Sequence, residues 1–214
     1  MEGVLKDGKL SGTMITPRGQ TLTWVGVPAP SLKRDKAPVW GKPIQLFNGK
    51  NLAGWQALGK DNQWIVENGI LRSPRPGSNI RTTQTFTDFK LHIEFRYPKE
   101  SNSGVYLRGM YEVQVVDSYQ KALDPHNMGG VYSRITPTSS AEKPAGEWQT
   151  MDITLCDRHA TVILNGVKII DNQPIYGPTG GAMKSDVFAA GPIYLQGDHG
   201  KVFYKNLVLT PIVK

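Results

Sequence analysis

The stretch Leu91-His92-Ile93-Glu94-Phe95-Arg96 alternates strictly between apolar and polar side chains. Successive side chains of a strand point to opposite faces, so Leu91, Ile93 and Phe95 share one face and His92, Glu94 and Arg96 the other. One face packs and the other meets water. The same period recurs in Val105-Tyr106-Leu107-Arg108, Tyr111-Glu112-Val113-Gln114-Val115 and Met151-Asp152-Ile153-Thr154-Leu155, and extended runs at 192–196 and 202–209 close the chain. Asn68-Gly69 and Asn165-Gly166, each between short apolar runs, are two-residue hairpin signals. No long amphipathic helix period appears. The pattern predicts an all-β sandwich or jelly roll.

The composition agrees with a packed domain: 39% of the 214 residues are hydrophobic and 20% charged, while 23 Gly and 15 Pro suit many turns. A net charge of +7 raises nucleic acid as a partner, but Lys33, Lys60, Arg81, Lys121, Lys168 and Lys205 are scattered, with no basic helix or stacking motif. Nucleic-acid binding is therefore not expected. No apolar run approaches the roughly eighteen residues of a membrane span, and Met1-Glu2-Gly3 does not begin a signal peptide. The single cysteine, Cys156, excludes an intramolecular disulfide and lacks neighbours at metal-ligand spacing; it reads as a small buried filler.

Val4 to Val27 contains two extended runs around the turn Pro17-Arg18-Gly19, as in a hairpin, and Pro28 to Lys36 reads as a proline-rich, charged linker. Residues 1–40 are expected to form a hairpin extension or the tail of an upstream domain, and 41–214 the sandwich itself. Two polar stretches rich in Gly and Pro, Ser118 to Gly146 and Asp171 to Ala190, are long enough to be binding loops or lids.

The polar faces of the strands carry Glu94, Arg96, Tyr106, Arg108, Glu112, Gln114, Tyr194 and Gln196. On one concave sheet these carboxylates, amides, guanidinium groups and rings would converge as a sugar requires, with polar partners for hydroxyls and an aromatic platform for the ring face. The alternative is a solvated sheet face with cross-strand ion pairs. Asp198-His199-Gly200 follows Gln196 directly, which brings a histidine to a strand end beside the polar face, where it can serve as a general base. His92, His126 and His159 stand behind it as candidates.

Leu46-Phe47-Asn48-Gly49-Lys50-Asn51-Leu52-Ala53-Gly54-Trp55, followed by Trp64 to Leu71, Phe89 to Arg96, Asn102-Ser103-Gly104-Val105-Tyr106-Leu107-Arg108, Tyr111-Glu112-Val113-Gln114, Gly146-Glu147-Trp148-Gln149, Leu164-Asn165-Gly166 and Gly191 to Gly200, resembles the 3-keto-disaccharide hydrolase domain family. The ordered motifs span nearly all of 43–211. Two departures stand out: Gln149 replaces an expected Asn, and Gly197 is inserted between Gln196 and Asp198. The resemblance implies a concanavalin A-like jelly roll related to lectins and glucanases, usually in exported bacterial proteins. It also implies cleavage of glycosides already oxidised to a ketone at the third sugar carbon.

Ordinary glycosidases use two carboxyl groups flanking the scissile bond. The E-x-D-x-x-E strand motif of family-16 glucanases is absent; in the nearest substitute, Glu112 to Asp117, the middle position is Gln114, and parity puts Glu112 and Asp117 on opposite faces. A ketone next to the reacting carbons removes the need for that pair. On this hypothesis His199 or Glu112 is the base, and Arg108, Gln114 or a bound divalent cation stabilises developing negative charge. Glu94, Asn102, Tyr132 and Gln196 would hold sugar hydroxyls. Trp148 would offer a stacking surface, with core packing as the alternative for both Trp148 and Trp64. The runner-up is a non-catalytic carbohydrate-binding module, and a third possibility is an interaction domain of a larger cell-surface protein.

Overall fold

The computed structural model describes residues 1–26 and 36–213. The chain divides into two compact units, Met1–Lys33 and Arg34–Lys214. In the first, β1 (Glu2–Lys6), β2 (Lys9–Ile15) and β3 (Thr21–Gly26) form an antiparallel sheet in that order. The expected hairpin around Pro17-Arg18-Gly19 is β2–β3, and β1 adds a third strand to it. The missed turn is Asp7-Gly8, whose φ values of 49° and 73° are those of a type I′ turn. The predicted linker lies, apart from Lys36, outside the described residues.

In the second unit short strands come first: β4 (Ile44–Gln45), β5 (Trp55–Ala57), β6 (Ile65–Glu67), β7 (Ile70–Ser73) and β8 (Ile80–Thr82). Longer ones follow as β9 (Phe89–Arg96), β10 (Asn102–Leu107), β11 (Tyr111–Val116), β12 (Gln149–Cys156), β13 (His159–Leu164) and β14 (Val167–Pro174). Then come β15 (Tyr194–Leu195) and β16 (Val202–Pro211). Five strands form one sheet, in the order β11-β10-β15-β8-β5. Eight form the other, in the order β14-β13-β12-β9-β16-β7-β6, with β4 added against β16. The described residues include no helix. The architecture is the all-β jelly-roll sandwich expected.

Alternation sets the core. Phe89, Leu91, Ile93 and Phe95 on β9 and Met151, Ile153 and Leu155 on β12 face inward, fully buried, against Val105, Leu107, Val113 and Val115 of the smaller sheet. The hairpins at Asn68-Gly69 and Asn165-Gly166 both carry positive φ at both turn residues. Backbone pairing reaches back before position 41, since Trp40 bridges Ile212 and Val213 N donates to Val39 O.

β11 is an edge strand, yet its residues are buried on both faces. Backbone from the loop after it covers the edge: Gly129 N donates to Gln114 O, Gln114 N to Gly130 O, and Tyr132 N to Glu112 O. Pairing of this kind satisfies an otherwise open ladder. It also fixes the loop at the outer face of the five-stranded sheet, over which the candidate site lies.

Candidate functional site

The register of three strands builds the floor of a cavity. Tyr106 on β10 stands opposite Glu112 on β11 and opposite Tyr194 on β15, while Gly104 stands opposite Gln114. Parity then puts Asn102, Tyr106, Glu112, Gln114 and Tyr194 on the face turned away from the core. Tyr132 from the loop after β11, Gly180 and Gly181 from the loop after β14, and Gln196, Asp198 and His199 after β15 complete a cavity of about 260 Å³. Both long loops singled out in the sequence thus supply walls, although β14 takes the start of the second as far as Pro174.

Glu112 is the most constrained group. Its carboxyl occupies the space that a side chain at Gly104 would fill, since a Cβ there would lie 2.3 Å from Oε1. Burial pushes its pKa up to about 7, against the opposing pull of the Tyr106 hydrogen bond and of His199. Tyr106 Oη lies 2.9 Å from Oε2. With its amide turned so that nitrogen rather than oxygen meets the neighbouring acceptors, Gln114 donates to Glu112 Oε1 at 3.1 Å and to Ser103 O at 3.2 Å.

The Tyr106 and Tyr194 rings stack at 4.3 Å with an interplanar angle of 19°, and burial pushes both phenols up, so each keeps its proton. His199 Nδ1 lies 2.6 Å from Asp198 Oδ1. Asp198 Oδ2 accepts from Asn79 Nδ2 at 3.2 Å, so both carboxylate oxygens are engaged. Gly197 anchors this corner: its N–H donates to Asn79 Oδ1 at 2.7 Å and its carbonyl accepts from Gln63 Nε2 at 3.0 Å. A Cβ at this position would meet Ser78 O at 2.6 Å, which explains why glycine is needed. Gln196 Oε1 is buried at the cavity without a hydrogen-bond partner among the described residues.

Six of the nine predicted site residues meet here: Asn102, Glu112, Gln114, Tyr132, Gln196 and His199. Three do not. Arg108 follows the end of β10 in a turn with φ 56°, so the strand's parity stops before it. Its buried guanidinium instead donates to the Val187 and Ala189 carbonyls. Glu94 lies on β9 in the larger sheet, paired with Lys205 at 3.1 Å, and the Asn206 hydrogen bond holds its carboxyl below the usual range. Trp148 is neither core nor cavity wall: Lys205 Nζ and Arg96 Cζ lie over its ring at 4.2 Å and 5.1 Å. Alternation gives each strand two faces but does not say which sheet the strand joins.

No individual role at the site follows from sequence for Tyr106, Tyr194, Asp198, Gly180 or Gly181. Alternation already put both tyrosines on polar faces and Asp198 adjoins His199, whereas Gly180-Gly181 sits in a loop with no register to place it. Elsewhere, Asp88, Cys156 and Asp157 bring their potential ligand atoms within 4.8 Å of one another. Cys156 is half-buried rather than a buried filler, and none of the three lines the cavity.

Comparison with known proteins bears on the family and the fold. A 3-keto-disaccharide hydrolase from Bacteroides thetaiotaomicron is 29% identical over 90 residues, a match spanning 36% of this chain and only 30% of that relative. A solved structure from Parabacteroides distasonis, provisionally described as a glycosyl hydrolase, is 30% identical with a TM-score of 0.65, covering 86% of this chain and 92% of the other. A second from the same organism shares the fold at 22% identity and a TM-score of 0.66, covering 80% and 94%. Residues 42–210 match the model of one family, and the chain belongs to it: the 3-keto-alpha-glucoside-1,2-lyase-like domain family.

Proposed function

We propose that the chain cleaves glycosides whose sugar carries a ketone at its third carbon, by elimination across the first and second carbons followed by hydration. The observation that carries this reading is the pairing, in one cavity, of a buried carboxyl near neutrality with a histidine oriented by a carboxylate. The ketone acidifies the proton on the second carbon. His199, with Nδ1–H donating to Asp198, presents Nε2 to take that proton. The electron pair forms an enolate, which expels the glycosidic oxygen from the first carbon as Glu112 gives that oxygen its proton. Water then adds to the enone, hydroxyl to the first carbon and proton to the second, which yields the free 3-keto sugar.

The remaining groups hold the ring. Gln114 positions Glu112, since its amide nitrogen is occupied there. This leaves the Asn102 amide and the Tyr132 hydroxyl as donors toward the enolate oxygen, and Gln196 Oε1 as acceptor for a sugar hydroxyl. At about 260 Å³ the cavity falls just below the usual ligand range of ~300–1,000 Å³, which suits one sugar ring. Asp198 does not suit the second carboxylate of an ordinary glycosidase, because both of its oxygens are committed.

The test compares aglycone release from a 3-keto-glucoside and from its unoxidised parent, with divalent cations supplied. Release from the oxidised substrate alone is expected; release from neither would leave the carbohydrate-binding module as the better reading. Glu94→Gln and Trp148→Ala, outside the cavity, are expected to change kcat/KM for the oxidised substrate by no more than about twofold. A loss of about tenfold or more at either would move the site to the larger sheet.

A further inference from the structure

Tyr106 has one hydroxyl proton and two neighbours that both look for it. Oη lies 2.9 Å from Glu112 Oε2 and 3.0 Å from the Gly180 carbonyl oxygen. A carbonyl oxygen only accepts, so the Gly180 contact is a hydrogen bond only when Tyr106 donates to it. Both contacts are then satisfied in one arrangement: Glu112 is neutral and donates from Oε2 to Tyr106 Oη, and Tyr106 donates to Gly180. Glu112 Oε1 remains an acceptor and is met by Gln114 Nε2. When Glu112 is ionised, the charged oxygen draws the hydroxyl proton to itself, since a hydrogen bond to a carboxylate is the stronger one. Gly180 O then loses the nearer of its two side-chain donors.

The peptide that feels this is held by little else. On one side Thr179 is tied down, its N–H donating to Met110 O and its Oγ1 accepting from Glu112 N. On the other, Met183 N donates to Gly109 O. Between these anchors, the Tyr106 hydroxyl at 3.0 Å is the nearer of two side-chain donors to Gly180 O; the other, Thr179 Oγ1, lies 3.4 Å away and has the Met110 carbonyl closer, at 3.1 Å. Gly181 packs so closely that a Cβ would meet Tyr106 Oη at 2.5 Å, and its φ of 72° suits glycine. Gly180 and Gly181 both line the cavity.

We propose that Tyr106 is a positioning residue which couples the proton on Glu112 to the Gly180-Gly181 wall of the cavity, so that loss of that proton loosens the wall. The coupling rests on the reading of this cavity as the reaction site only for its purpose: after Glu112 protonates the departing oxygen, the wall opens for the aglycone. The titratable groups that face Glu112 are Tyr106 from β10, Tyr194 from β15, Tyr204 from β16, and Asp198 and His199 from the corner after β15; Tyr132 closes the cavity from the loop side. The phenols of Tyr106, Tyr194 and Tyr204 are pushed up by burial and stay neutral. An imidazole can change charge near neutrality, so His199→Gln serves as the control.

The experiment follows the Glu112 carboxyl carbon by NMR across pH 5 to 9 and, in the same samples, amide hydrogen-exchange protection of residues 180–183, corrected for intrinsic exchange. In the unaltered protein and in His199→Gln, protection is expected to fall about fivefold, the worth of one hydrogen bond, with the midpoint of the Glu112 titration. Glu112→Gln, whose amide donates to Tyr106 at every pH, should stay protected throughout. Tyr106→Phe should stay at the low level throughout. Flat protection across the Glu112 titration, or a pH step that survives in Tyr106→Phe or in Glu112→Gln, would overturn the coupling. If Tyr106→Phe does not fold, the Glu112→Gln arm decides. Failure of the catalytic reading is separate: it appears as no aglycone release with the protection step intact.

Discussion

Glu112→Gln is expected to lower aglycone release from a 3-keto-glucoside by about 10²–10⁴-fold, the usual contribution of a general acid, and to make the protein more stable at pH 8. The two effects have one cause. Burial raises the folded carboxyl from 4.5 to about 7, so the native state binds a proton that the unfolded chain gives up. The stabilisation is complete below pH 4.5 and is lost as the pH rises through 7, at a cost of about 3 kcal/mol. Glutamine keeps the neutral form and its donor toward Tyr106 at all pH. Urea unfolding at pH 5 and pH 8 checks this: the variant should lose much less stability than the parent between the two. A parallel loss in both would place the carboxylate in a solvated setting and remove the acid assignment.

The second large effect belongs to the Asp198–His199 pair. His199→Ala removes the base and should cost about 10²–10⁴-fold in kcat, with partial recovery when imidazole is added to the buffer. Asp198→Asn keeps the ring but lets its tautomer drift, because Asn can present a donor to Nδ1 and so turn the lone pair away from the substrate. Its kcat should fall by a similar order while KM changes little. Imidazole rescue of His199→Ala without effect on Asp198→Asn is the signature expected. An Asp198→Asn variant with full kcat would reduce Asp198 to a surface partner.

The sandwich was legible because its signal is local: the β9 alternation from Phe89 to Arg96 and the two Asn-Gly turns appear in the structure as sequence pattern predicts. The Asp7-Gly8 turn carries the same kind of signal. The site was legible in part for a different reason. Parity puts Glu112, Gln114 and Gln196 on polar faces, but joining them to Glu94 assumes a single sheet. Sheet membership is a long-range property, set by the pairing of β9 with β12 and β16 and of β10 with β11 and β15. Arg108 failed for a local reason, since a turn at positive φ ends the parity one residue too early. Gly104 shows the reverse: its missing side chain makes the room for the Glu112 carboxyl, a role that only the cross-strand register reveals.

The central claim is elimination followed by hydration, and its most direct measurement is the position of solvent deuterium in the product. The protein is incubated with a 3-keto-glucoside in D₂O, the released 3-keto sugar is trapped by borohydride reduction, and a sample of the 3-keto sugar without protein corrects for spontaneous exchange. Elimination and readdition of water predict one deuterium at the second carbon for each aglycone released. Release of the aglycone with protium retained there would contradict the account and return the chain to direct displacement at the first carbon.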